Sequence, residues 1–311
     1  MGAGGLGSLV GGELARGGHE VVLVARGEHR RALEASGLSV RSPTGDYRVH
    51  PRCVATADAA GAVDVAILAV KAYSLDSVVE QTAAVAREGA VVLPLLNGVD
   101  TAERLQAGGV PGDRLVHGVA YLTAFRTAPG EIRRQGTHGR ILVGPVVEDE
   151  AVDDRAGPLR RVRELFEPSS IEAVVSKDIQ RELWEKMAVV CSLSVLCCLA
   201  DAPIGDIRGH AFGADLQARA IAEVLAVGRG RGVSLHHASE AAVGATLDGF
   251  PEGFFPSVLH DLRAGGRTEM DALAGSLARM GREVGVETPL LDAATLEVAL
   301  REARHADGGT G

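Results

Sequence analysis

The sequence predicts an α/β chain in two parts, a doubly wound parallel sheet followed by an all-helical domain. Three observations lead there. A glycine-rich hexapeptide, Gly2-Ala3-Gly4-Gly5-Leu6-Gly7, opens the chain and runs straight into a helix-forming stretch. Strand and helix patterns then alternate to about residue 105, the signature of a doubly wound unit. Beyond Val174 the strand pattern stops and helical periodicity takes over.

Taken in order, Gly2–Gly7 reads G-x-G-x-x-G. In such a turn Gly2 permits the tight bend, Gly4 lets a pyrophosphate approach the backbone, and Gly7 allows close helix–sheet packing. Ser8 to Ala15 continues as a helix whose N-terminus offers free N–H groups to phosphate. Gly17-Gly18 ends it, and His19 to Ala25 is a buried strand. At the end of that strand, about 20 residues past the glycines, an acidic residue would select a ribose 2′-hydroxyl. The position holds Arg26, with His29, Arg30 and Arg31 just beyond, which suits a 2′-phosphate and predicts NADP(H). Residues 28–36 read as a helix and 37–55 as short strands around a turn at Ser42–Asp46. Val63–Val70 is a near-continuous apolar strand of the parallel type; it delivers Lys71 to the carboxyl end, where such sheets bind ligands. A helix at 75–87 and a strand from Ala90 to Leu96 follow, ending at Asn97.

Val116–Phe125, Gly130–Arg134 and Arg140–Val143 add strands at the far edge of the sheet, and Pro145–Asp154 is acidic and turn-rich. A helix at Leu159–Glu167 closes the first domain, 1–172. The second, 173–311, carries helices at Asp178–Leu199, Phe212–Arg231, His237–Leu247, Ser257–Leu262, Met270–Val284 and Pro289–Ala306, with a loose tail after that.

Composition narrows the function. The chain has 311 residues, 46% of them hydrophobic, and a formal net charge of −9, which argues against a general nucleic-acid binder. No apolar run reads as an uninterrupted membrane span. No signal peptide is evident, because Glu13 and Arg16 interrupt the N-terminal stretch. Cys53, Cys191, Cys197 and Cys198 have no C-x-x-C spacing and read as reduced thiols of a cytoplasmic protein. The ten histidines form no metal-ligand set; His236 and His237 point different ways on a helix or a strand. Only three lysines (Lys71, Lys177, Lys186) and one asparagine (Asn97) occur, in a chain whose Lys+Arg total is 32. Where arginine is so favoured, a retained lysine points to chemistry arginine cannot do, namely giving up a proton near neutral pH.

The pieces GAGGLG (2–7), VAR (24–26), VK (70–71), NG (97–98), LWEKMAV (183–189), SVLHD (257–261) and RTEMD (267–271) together resemble the ketopantoate reductase family. They occur in family order over nearly the whole chain. The resemblance implies a Rossmann-type N-terminal domain and NADPH-dependent reduction of a small-molecule 2-oxo acid, with 2-dehydropantoate to pantoate as the default. It makes Lys186 the catalytic acid and Glu269 a carboxylate beside both the lysine and the cofactor. Gly2, Ala3, Gly4, Gly5, Leu6, Gly7, Arg26, Lys71, Asn97 and Ala124 fall on the cofactor side. Lys186, Val190, Ser194, Ser257 and Asn97 fall on the substrate side.

There are two departures. The family has asparagines four and eight positions after the lysine, on one helical face, where this chain has Val190 and Ser194. A polar substrate group left unpaired costs about 1–3 kcal/mol, so a more apolar 2-oxo acid or an imine is an alternative, as is a catalytically impaired NADP-binding sensor. Second, only Met1 precedes the glycine turn, where a buried central strand belongs. Each lost buried side chain there forfeits roughly 1.5–3 kcal/mol, and the expectation is that the natural protein begins several codons upstream. Helical faces in the second domain could support a homodimer, although no heptad seam specifies one.

Overall fold

The computed structural model describes residues 1–146 and 157–308. The chain divides into two compact units, the first being 1–96 with 100–179 and the second 97–99 with 180–311. The sequence boundary near 172 cuts through a strand of the first unit, Ile171–Val175, so the division falls after Ile179.

In the first unit the strands are β1 (Val22–Val24), β2 (Leu38–Arg41), β3 (Tyr47–Val49), β4 (Arg52–Val54), β5 (Val65–Leu68), β6 (Val91–Pro94), β7 (Val116–Ala128), β8 (Glu131–Pro145) and β9 (Ile171–Val175). Its helices are α1 (Gly5–Arg16), α2 (Gly27–Ser36), α3 (Asp76–Arg87), α4 (Thr101–Ala107) and α5 (Gly157–Phe166). β1 pairs with β4 and β5 with β6, both in parallel. A bridge from Val92 to Leu115 leads on to the long β7–β8 hairpin, which β9 extends in parallel. β8 also carries β2 and, through it, β3. The two predicted segments Gly130–Arg134 and Arg140–Val143 are therefore one strand.

Residues 1–3 lie between β1 and β5. The Met1 amine donates to the Ile67 carbonyl (2.5 Å) and the Ala69 N–H to the Met1 carbonyl (2.9 Å). On the other side the Ala3 N–H donates to the Val24 carbonyl at 3.2 Å. Three residues thus hold the position of a central strand. They join the β1–β4 pair to the β5–β6 pair. The predicted strand His19–Ala25 shortens to Val22–Val24, the three residues that pair with Arg52–Val54.

Helix α1 is fixed by a buried polar cluster. Glu13 accepts the Tyr47 hydroxyl (2.9 Å) and lies 3.5 Å from the Arg134 guanidinium, while Arg134 also donates to Ser170 at 2.8 Å. Both ionic side chains are almost fully enclosed. Breaking such a pair leaves an uncompensated buried charge, so the cluster ties α1 firmly to β3 and β8.

The second unit is helical: α6 (Ile179–Ala200), α7 (Ile204–Arg208), α8 (Gly213–Gly230), α9 (His237–Asp248), α10 (Ser257–Arg263), α11 (Ser276–Val284) and α12 (Pro289–Gly308). By length and composition α6 is apolar enough to cross a membrane, against the expectation that no segment was. Its apolar side chains are spent in the core, however. Met187, Ala188, Cys191, Leu193, Val195, Leu196, Cys197 and Cys198 pack against α8, α10, α11 and α12 residues such as Val224, Leu259, Leu277 and Leu291. All four cysteines are free thiols. Glu223 of α8 accepts the Leu290 and Leu291 N–H groups, satisfying the first turn of α12 from outside it.

Candidate active site

The sequence-predicted residues fall into two groups, one in each unit. In the first unit the glycine turn has three different geometries. Gly2 adopts φ +87°, and a Cβ there would come within 2.8 Å of the β5 end at Ala69 and Val70. A Cβ on Gly7 would meet the Gly2 carbonyl oxygen at 2.2 Å and one on Gly5 the Ala124 carbonyl at 2.3 Å. Gly4, in contrast, faces open space, with nothing within 4 Å of where its Cβ would be. Gly2, Gly5 and Gly7 are thus required by the protein's own packing, whereas Gly4 leaves room for something else. α1 starts immediately after, with no side-chain cap and no acidic residue in its first turn. Its leading N–H groups and positive dipole end are left to an anion. Ala3 is buried beside Ala25, with Ala124 packed on the same cluster, and Leu6 packs against the core under α1.

Arg26 is exposed at the end of β1 and caps α2 with extended backbone. Of the basic residues following it, Arg30 is committed to Glu34 at 2.7 Å. His29 is buried. Its Nδ1 accepts the Gly130 N–H (3.0 Å) and its Nε2 lies 3.3 Å from the Ser8 hydroxyl. Since Nδ1 accepts, Nε2 carries the proton and donates to Ser8. Burial, with Arg126 nearby, lowers its pKa, so His29 is a neutral strut and not one of the cations expected from the sequence. Lys71 is exposed just beyond the β5 end.

In the second unit α6 carries Lys186, Val190 and Ser194 at four-residue spacing, hence on one face. Lys186 is half-buried; burial lowers its pKa to about 8, and the charge of Glu269 acts the other way. Its neighbour Glu185 accepts the Ser239 hydroxyl at 2.6 Å, holding α6 to α9. Ser194 is buried and donates its hydroxyl to the Val190 carbonyl (2.7 Å), so the proton is already committed to the helix. Glu269 is buried at the start of an irregular turn. Its carbonyl accepts the Leu273 N–H, and Asp271–Gly275 is wound as a π-helix pinned by the Asp271–Arg279 pair at 2.8 Å. Single π-turns frequently mark functional sites. Upstream, Thr268 is held by Glu302, which accepts its N–H at 2.7 Å. Ser257 is exposed at the first position of α10. Asn97, although it follows β6, groups with the second unit. Among the described residues no His/Cys/Asp/Glu group is arranged to hold a metal ion.

Two features were missed from the sequence. One is Arg126, whose proximity to His29 depends on a hairpin about a hundred residues downstream. The other is the π-turn after Glu269, which leaves no compositional mark.

Comparison with known proteins bears on both units. Residues 1–148 match the family described as ketopantoate reductase PanE/ApbA, and residues 178–302 match its C-terminal domain. A 2-dehydropantoate 2-reductase of Halobacterium salinarum is 32% identical, with 94% of each chain covered. An uncharacterized oxidoreductase of Bacillus subtilis, YkpB, is 27% identical over 97% of this chain and 98% of its own length. Among solved structures, a PanE/ApbA family ketopantoate reductase from Ralstonia eutropha superposes with a TM-score of 0.86 at 26% identity, covering 98% of each chain.

Proposed function

The chain belongs to the ketopantoate reductase family, and from that premise we propose that it uses NADPH to reduce a 2-oxo acid to the 2-hydroxy acid, with Lys186 as general acid and 2-dehydropantoate as the default substrate. It is an oxidoreductase acting on CH–OH groups, and the family's cofactor is NADPH.

The residues present fit that cofactor. Gly4 faces open space beside the uncapped first turn of α1, a cradle that a Cβ would fill. Arg26 is exposed at the end of β1, the position from which such a motif reads the ribose 2′ substituent. In this reading Gly2–Gly7 hold the pyrophosphate, Arg26 and Lys71 serve the adenosine end, and Ala124 lines the turn. Asn97 and Glu269 serve the nicotinamide ribose. Bound NADPH supplies the hydride.

The observation that carries the reading is Lys186, a half-buried ammonium whose pKa burial brings down to about 8 while the charge of Glu269 acts the other way. As negative charge builds on the carbonyl oxygen, Lys186 Nζ donates its proton to it, and Glu269 keeps the lysine charged until then. A group with its pKa near the working pH both holds and releases a proton effectively. Ser257 and the α6 face orient the substrate.

One observation favours a different 2-oxo acid. Val190 offers no hydrogen bond, and the Ser194 hydroxyl spends its proton on the Val190 carbonyl. This face of α6 therefore supplies no side-chain donor beyond Lys186, which suits a substrate with an apolar side chain. The test is NADPH oxidation across a panel of 2-oxo acids that includes 2-dehydropantoate. Turnover of at least one supports the reductase. A clear lead for branched or aromatic 2-oxo acids selects the apolar reading, and a lead for 2-dehydropantoate rejects it. NADPH binding without any turnover would leave only the sensor.

A further inference from the structure

We propose that Arg126 is a second cation for the ribose 2′-phosphate of the cofactor, working with Arg26 to select NADPH over NADH; this rests on the NADPH reading above.

Three structural relations bring Arg126 to that place, all inside the first unit. First, β7 runs directly over the glycine turn, because the Ala124 carbonyl occupies the space a Gly5 Cβ would need, 2.3 Å away. Second, side chains two apart on a strand share a face. Ala124 packs on the cluster formed by Ala3, Ala25 and Leu33, and the register with β8 is regular from Thr123 to Arg126. Arg126 is thus directed to the same side as Ala124, over the β1 end and α2, while exposed Phe125 faces away. Third, the β7–β8 turn is clamped onto α2 and β2: the Gly130 N–H donates to His29 Nδ1 of α2, and the Ser39 N–H of β2 donates to the Gly130 carbonyl at 2.9 Å. His29 sits one turn beyond Arg26, in the first turn of α2, and it feels the Arg126 charge.

The chemistry of this corner selects a phosphate dianion. Arg26 and Arg126 come from two different elements and both are exposed. Neither makes an ion pair among the described residues, whereas Arg30 is tied to Glu34. Two unpaired guanidiniums repel each other unless an anion sits between them, and guanidinium forks bind phosphate in a bidentate manner. A ribose 2′-hydroxyl, in contrast, gains nothing from a second cation. His29 contributes position and not charge: its acceptor nitrogen holds Gly130, which fixes the hairpin that carries Arg126.

The experiment is calorimetric binding of adenosine 2′,5′-bisphosphate and of 5′-AMP to the full chain, comparing the parent with Arg126→Ala and Arg126→Lys. The proposal expects the alanine variant to lose about 10- to 100-fold in affinity for the bisphosphate, the usual worth of a charge-assisted phosphate contact. Affinity for 5′-AMP should stay within about twofold, and the lysine variant should recover part of the loss. Unchanged bisphosphate binding in the alanine variant overturns the proposal, as does an equal loss for both nucleotides, which would mean general damage to the turn. A parent chain with no preference for the bisphosphate overturns the NADPH reading itself, so the two failures are told apart.

Discussion

In a chain made to begin at Met1, the buried amine makes stability depend on pH in a calculable way. Burial between β1 and β5 lowers the pKa of the Met1 amine from 8.0 to about 6, while in the unfolded chain it stays at its ordinary value. Between pH 6 and 8 the unfolded state therefore binds more protons than the folded one, and stability rises with pH across that window. The contribution is fully present above 8 and lost below 6. A shift of about two pH units is worth about 2.7 kcal/mol, or about 100-fold in the opening equilibrium of the region the amine sits in. The perturbation is a chain carrying four apolar β-forming residues ahead of Met1, which removes the buried charge and gives β1 and β5 a longer neighbour. The assay is hydrogen–deuterium exchange of peptides covering β5, corrected for intrinsic exchange rates, with intact mass used to verify that Met1 is retained. The original chain should gain about 25-fold in β5 protection from pH 6 to 8, the rest of the roughly 100-fold lying outside that window. The extended chain should be better protected at every pH and lack that slope. Equal slopes in the two chains would refute the assignment to the amine, and weaker protection in the extended chain would refute the account of residues 1–3 as a strand position.

Other outcomes follow from the site. Gly4→Ala should leave thermal stability nearly unchanged, since no atom lies within 4 Å of the new Cβ, yet weaken NADPH binding at least tenfold; Gly7→Ala should damage stability and binding together, because its Cβ meets the Gly2 carbonyl. Thermal melts and cofactor titrations separate the two. Glu269→Gln removes the charge that supports protonation of Lys186, so the high-pH limb of turnover should move to lower pH. An unmoved limb would mean that Glu269 does not act on the lysine.

Much of this architecture is legible from local pattern. Parallel strands such as Val65–Leu68 and Val91–Pro94 announce themselves as apolar runs, and the helices of the second unit by their periodicity. What escaped is short or depends on distant partners. Helices α4 and α7 span only seven and five residues, too few for periodicity to register. β9 forms because β8 is there to pair with, and its short IEAVV run abuts the domain boundary. The residues left between the segments Gly130–Arg134 and Arg140–Val143 include Gly136 and Gly139, yet β8 passes through both; a Cβ on Gly139 would strike Leu122 at 2.2 Å. In the site, Lys186, Val190 and Ser194 were placed on one face by helix spacing alone. The commitment of the Ser194 proton, the enclosure of His29 and the approach of Arg126 are tertiary facts, and no window of sequence contains them.

The central claim is that Lys186 delivers the proton to the carbonyl oxygen. Its most direct test is the pH dependence of turnover in the reduction direction, for the parent chain and for Lys186→Ala, with NADPH affinity measured alongside. The account predicts a plateau below pH 8 and a tenfold fall per unit above it, as the ammonium with pKa about 8 is lost. It also predicts that the alanine variant binds NADPH nearly as the parent does, turns over about 10²–10⁴-fold more slowly and lacks that limb. Normal turnover by Lys186→Ala, or the same falling limb in both chains, would contradict it.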